Sequence, residues 1–153
     1  MKICANTVNR LINQEMDLHI KPCKKYGISK KDLVNAEEKN KNIAYCRYVL
    51  ESGYSEAFLD LIIPLIPCVL GYPEIGYNLK NYKRSNQIYK SWIQNYSREE
   101  YQEISKSIRK LFDSAVLNRL GKNFYKTRKW KSIRKKFKTA VFLEIDFWDM
   151  ILV

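Results

Sequence analysis

Glu144 lies among Val141, Phe142, Leu143, Ile145, Phe147 and Trp148, a poor setting for a solvated carboxylate. A carboxyl group removed from water keeps its proton more readily, which makes it a proton donor near neutral pH. The alternative is a glutamate that is paired and purely structural. Cys68 follows Ile66-Pro67, where the prolines predict a break in a helix. A thiolate there is a nucleophile; an unreactive cysteine is simply a small buried hydrophobe, and Cys4, Cys23 and Cys46 read the same way. Pattern alone leaves open whether the two residues meet.

Other candidates are weaker. The four cysteines are separated by 19, 23 and 22 residues and the chain holds a single histidine, His19. That spacing does not fit a zinc knuckle or finger, so no metal site is expected. His19, next to Leu18, reads as a satisfied interior histidine. Residues 122–138 carry nine of the 28 basic residues and no acid, with Trp130 and Phe137 interleaved. One reading is a phosphate-tracking surface. The other is the solvated face of an amphipathic helix whose aromatics point into the core.

The elements that must position these residues are helical almost throughout. Val8, Leu11, Ile12, Met16, Leu18 and Ile20 fit one helix face, with Gly27 at its end. A polar connection from Ser29 to Lys41 follows, with a turn of helix around Asp32–Glu38. The spacing predicts helices from Asn42 to Glu51, stopping at Gly53, and from Ser55 onward, kinked or interrupted at Pro64 and Pro67. Beyond Lys80 comes a polar loop, then a short aromatic helix over Ile88–Ile93. Ser97-Arg98-Glu99-Glu100 reads as a capping box for a helix to Leu120, stopped by Gly121. The last helix spans Thr127–Leu152, with Trp130, Ile133, Phe137, Val141, Glu144, Trp148 and Ile151 on one stripe. Strand alternation is absent, so the expected fold is all-α.

Composition fits one globular domain over residues 1–153. With 46% hydrophobic and 13% aromatic residues, intrinsic disorder is excluded. The net charge of +12 admits an anionic partner and equally the drift of an A/T-rich genome toward Lys, Asn, Ile and Tyr. The start of the chain lacks a secretory pattern, and the apolar run Leu61–Pro73 is short for a bilayer. A cytoplasmic protein with no membrane partner is expected.

Four blocks in order carry a resemblance: Glu15-Met16-Asp17-Leu18-His19 with Ala44-Tyr45, then Leu65 to Gly76 (LIPCVLGYPEIG), then Ile88 to Tyr96 (IYKSWIQNY), then Glu144 to Met150 (EIDFWDM). Together they resemble the TenA family, also called thiaminase II or aminopyrimidine aminohydrolase, with its haem-oxygenase-like helical bundle. The resemblance implies Cys68 as the nucleophile that adds to an aminopyrimidine ring, and Glu144 as the acid that protonates the departing amine or thiazolium and then helps activate water. It implies Tyr45, Tyr72 and Tyr96 around the pyrimidine, Phe147 as an aromatic wall, no cofactor, a small-molecule aminopyrimidine or thiamin as substrate, and a homotetramer. It also implies that the family's first helices, with an aspartate and a tyrosine of the pyrimidine site, have no counterpart before Glu15; Asp17 is the nearest acid. On that reading the chain is the C-terminal two-thirds of the family fold, partnered by itself or by a separate N-terminal fragment. The alternatives are a non-catalytic binding remnant and, from the same fold, a metal-dependent oxidase, for which one histidine is a meagre ligand supply.

Overall fold

The computed structural model describes residues 2–82 and 87–150, without the side chains of Ile3, Gln14, Asp17, Leu18, His19, Gln87 and Ile88. The readings of Asp17, Leu18, His19, Ile151 and Leu152 therefore lie outside the described residues. Backbone contacts divide the chain into two units, Met1–Glu38 and Lys39–Val153.

The first unit begins with α1 (Lys2–Arg10), a widened π turn over Leu11–Glu15 and α2 (Met16–Lys25). The π turn inserts extra length into an otherwise continuous helical run. Val8, Leu11, Ile12 and Met16, expected on one face, stand exposed. Gly27, at φ 76, ends the run as expected. A short α3 (Lys30–Val34) follows, entered through a reciprocal cap: Asp32 N–H donates to Ser29 Oγ at 3.1 Å, and Ser29 N–H donates to Asp32 Oδ2 at 2.8 Å. The Ser29 hydroxyl, which also donates to Asp32 Oδ2 at 2.6 Å, and then the Ser29 N–H hold the Asp32 carboxyl below its ordinary range.

The second unit is built around α5 (Phe58–Leu79), against which α4 (Asn40–Ser55), α6 (Gln87–Tyr96), α7 (Glu99–Leu120) and α8 (Arg128–Asp149) all pack. By length and composition α5 is apolar enough to cross a membrane. Its contacts with four helices explain the same apolarity as that of a core element. Leu59, Ile62, Ile63 and Ile66 of α5 join Ala115 and Val116 of α7 and Ile133 of α8 in the core.

Four expectations need correction. Gly53 does not stop α4 but sits inside it; a Cβ there would lie 2.7 Å from Leu61 Cδ1, so the glycine makes room for α5. Pro64, Pro67 and Pro73 do not interrupt α5, which runs for 22 residues through all three. Ser97 forms no capping box: Arg98 is the N-cap of α7, with no side-chain bond to its first turn, and Ser97 Oγ donates back to Gln94 O at 3.3 Å. Phe137, expected in the core, is 39% exposed, while Trp130 does pack on the core. At the other end of α7, Gly121 takes φ 75 and closes the helix as expected.

Two members of the basic run are ion-paired. Asp60, fully buried at the start of α5, receives Lys129 Nζ at 2.8 Å on Oδ1 and lies 3.1 Å from Lys136 Nζ. Its Oδ2 is 2.7 Å from Lys129 Nζ, an ion pair without hydrogen-bond alignment. Glu56 contacts the same two ammonium groups at 2.6 and 2.5 Å. Their hydrogen bonds hold its carboxyl well down, at about 2. This network pins the α4–α5 corner to α8, the helix that carries Glu144.

Candidate functional site

Helical periodicity assembles the site. Cys68 and Tyr72 are four residues apart on α5, and Glu144 and Trp148 are four apart on α8, so each pair shares a face. Tyr45 comes from α4, and Trp92 and Tyr96 come from α6.

Glu144 is only 8% exposed. Its Oε1 accepts two hydrogen bonds, from the Tyr72 hydroxyl at 2.5 Å and from the Trp148 indole N–H at 3.1 Å. Its Oε2 is buried with no partner. The carboxyl group therefore has one oxygen fixed by donors and one left available for chemistry.

The thiol of Cys68 donates to Leu65 O at 3.1 Å. Burial pushes it up to about 11; the Tyr45 hydroxyl works against that shift and the nearby Glu144 charge works with it. The resting group is therefore a thiol. Tyr45 donates to Pro64 O at 3.0 Å. Burial, and then the adjoining Cys68 and Glu144, raise its hydroxyl far above the ordinary phenol value. Tyr72 is raised in the same way, by burial first and then by its bond to Glu144. Both tyrosines are thus neutral donors at any physiological pH.

An aromatic cluster surrounds this group. Tyr72 meets Tyr96, Trp92 and Trp148 edge-on at centroid separations of 5.4, 5.8 and 5.6 Å. Edge-to-face packing of this kind fixes ring positions as well as burying area. Trp92 and Trp148 also line a wholly apolar cavity of about 340 Å³ with Ile75 and Leu79.

Of the expected site residues, Cys68, Glu144, Tyr45 and Tyr72 come together. Tyr96 reaches them through the Tyr72 ring. Phe147 stands one ring further out, 6.4 Å from Trp148. Trp148 was overlooked as a site residue. Its position one turn after Glu144 was the available signal, since i and i+4 side chains meet on a helix. Among the described residues, no three His, Cys, Asp or Glu side chains stand together as a metal-binding group.

The profile of the TENA/THI-4/PQQC family matches residues 1–153. An uncharacterised protein of Haemophilus influenzae is 32% identical over 142 residues, covering 92% of this chain and 63% of its own length. An aminopyrimidine aminohydrolase of Halalkalibacterium halodurans is 30% identical over 152 residues, covering 98% of this chain and 65% of its own. A crystal structure of a TenA family transcription regulator from Silicibacter superposes with a TM-score of 0.93 at 42% identity, over 98% of this chain and 66% of that one. The chain thus spans just under two-thirds of the length of each of these relatives. The fold is the all-α, haem-oxygenase-like bundle expected from the sequence.

Proposed function

The chain belongs to the TENA/THI-4/PQQC family, and from that premise we propose that it hydrolyses aminopyrimidines, with Cys68 as nucleophile and Glu144 as acid and base. The observation that carries this reading is the bare, buried Oε2 of Glu144, whose carboxyl group lies near enough to Cys68 and Tyr45 to add to the upward push of burial on both.

On binding of the substrate, the Cys68 proton passes to Glu144 Oε2, with the Tyr45 hydroxyl turning from Pro64 O to relay it. One transfer creates the nucleophile and the acid together. The thiolate adds to an electron-poor ring carbon, and the ring's electrons expel the substituent on the methylene while Glu144 protonates it. Water then adds to the methylene and gives its proton to Glu144. The Cys68 thiolate leaves with its electron pair, and the aromatic ring is restored. Tyr72 holds the carboxyl in place, Tyr96 backs Tyr72, and Phe147 closes the aromatic side.

The substrate class in this reading is an aminopyrimidine carrying an amine or the thiazolium of thiamin. We extend the proposal to one domain over residues 1–153, to self-association and to the reducing cytoplasm, where its four free cysteines stay reduced.

The test is incubation with 4-amino-5-aminomethyl-2-methylpyrimidine, following the hydroxymethyl product by mass spectrometry. Product is expected from the unaltered chain and not from Cys68→Ala or Glu144→Gln. Product at an unchanged rate from Cys68→Ala refutes the assignment of the nucleophile.

A further inference from the structure

On the face of α5 opposite Cys68 and Tyr72 lies an open groove of about 800 Å³, with the half-buried Leu70 at its floor above the buried Ile63 and Ile66. Its walls are α7 and α8, which each pack on α5 but scarcely on each other. Phe112 from α7 and Phe137 from α8 add apolar surface, and Phe137 is 39% exposed there. The rim is strongly one-signed: Arg109, Lys131, Arg134, Lys135 and Lys138 face a single carboxylate, Asp113. Among the described residues Arg109, Lys131, Arg134 and Lys135 enter no ion pair, unlike Lys129 and Lys136 of the same run.

We propose that this groove docks an amphipathic α-helix of a partner protein, one whose apolar stripe is flanked by acidic residues. Three observations select that occupant. The walls are two helices that each pack on a third and scarcely touch each other, which leaves a trough a further helix can fill. A helix with side chains is about 10–12 Å across, so the groove holds roughly five to seven residues of it, about two turns. The five rim cations select carboxylates for the flanks of that helix. A second copy of this chain seated groove to groove is disfavoured because it sets the same five rim cations against one another. A nucleic acid finds cations on the rim, but the aliphatic floor offers nothing to its backbone.

The test uses a fluorescein-labelled helical peptide of about 14 residues, with leucines on one stripe and glutamates on its flanks. Fluorescence anisotropy is expected to show saturable binding that weakens as salt rises. Double reversal of the exposed pair Arg134→Glu and Lys135→Glu is expected to weaken binding at least about tenfold. Phe137→Ala is expected to weaken it at least about fivefold, and Lys90→Glu on α6 to leave it unchanged. Circular dichroism shows whether each variant is folded. Equal binding of poly-glutamate or of duplex DNA reduces the groove to a charge effect and overturns the proposal. So does sedimentation showing a dimer that Phe137→Ala dissolves, which makes a second copy the occupant. Absence of peptide binding by the folded chain overturns it outright.

Discussion

Tyr72 on α5 and Glu144 on α8 meet through a 2.5 Å hydrogen bond between residues 72 positions apart in the chain. This bond, with that from Trp148, commits Glu144 Oε1 and leaves Oε2 to do chemistry. Removing one donor frees the carboxyl group to turn. A hydrogen bond to a charged group is worth about 1.5–3 kcal/mol, so Tyr72→Phe is expected to lower kcat for aminopyrimidine hydrolysis roughly 10- to 100-fold. Trp148→Phe, which keeps the ring but loses the N–H, is expected to cost somewhat less. Steady-state kinetics check both, with melting curves to show that the fold survives.

The Cys68 thiol, pushed up to about 11 by burial, has a pH signature. An acid whose value is raised is ionised only at higher pH. From an ordinary 9.0 to about 11, the thiolate fraction at pH 8 falls roughly a hundredfold. Alkylation of Cys68 in the free protein is therefore expected to keep accelerating up to about pH 11, and to lag far behind the exposed Cys4 and Cys46 at pH 8. Peptide mapping after timed alkylation measures all of them together. A Cys68 rate that levels off by pH 9 contradicts the burial account.

The ion network at the α4–α5 corner predicts a difference between neighbours. Asp60 is fully buried among lysines, so Asp60→Ala leaves Lys129 and Lys136 short of a partner and is expected to cost about 3–5 kcal/mol. Glu56→Gln, at the solvent side of the same lysines, is expected to cost clearly less. The depressed Glu56 carboxyl contributes stability that is present above its ordinary value and lost as pH falls toward about 2. Urea unfolding at pH 7 and pH 3 tests both statements.

Two glycines are expected to respond oppositely to alanine. A Cβ on Gly76 meets Tyr96 Cβ at 2.8 Å, the Tyr96 backbone carbon at 3.0 Å and Ser97 N at 3.1 Å. Since backbone must move, Gly76→Ala is expected to cost about 1–3 kcal/mol and to reduce activity by displacing Tyr96. At Gly53 the obstacle is the tip of the Leu61 side chain, which can swing away. Gly53→Ala also gains up to about 1 kcal/mol of helix propensity, so it is expected to be neutral or mildly stabilising. Thermal unfolding of the two variants decides.

The pieces of this site that sequence reasoning reached are those whose signal is local. Glu144 stood out because six apolar neighbours surround a carboxylate, and Cys68 and Tyr72 lay one turn apart in a single block. The helical stripe of α8 was legible for the same reason. What was not legible depends on partners distant in the chain. Asp60 gave no signal in the sequence, because its partners Lys129 and Lys136 come to it from α8. Trp148 read as core because its N–H acquires meaning only against Glu144 Oε1. Phe137 fell on the apolar stripe, yet α7 and α8 scarcely touch each other and it stays 39% exposed. Gly53, Pro64 and Pro67 carried local signals for an interruption, and tertiary packing against α5 and around it kept both helices running.

The most direct test of the account is to alkylate the protein in graded steps, measuring by peptide mapping the fraction of each cysteine modified and, on the same samples, aminopyrimidine hydrolysis. The account predicts that activity falls in proportion to the fraction of Cys68 modified, and that bound aminopyrimidine protects Cys68 but not Cys4 or Cys46. Activity that persists with Cys68 fully modified, or that tracks another cysteine, contradicts it.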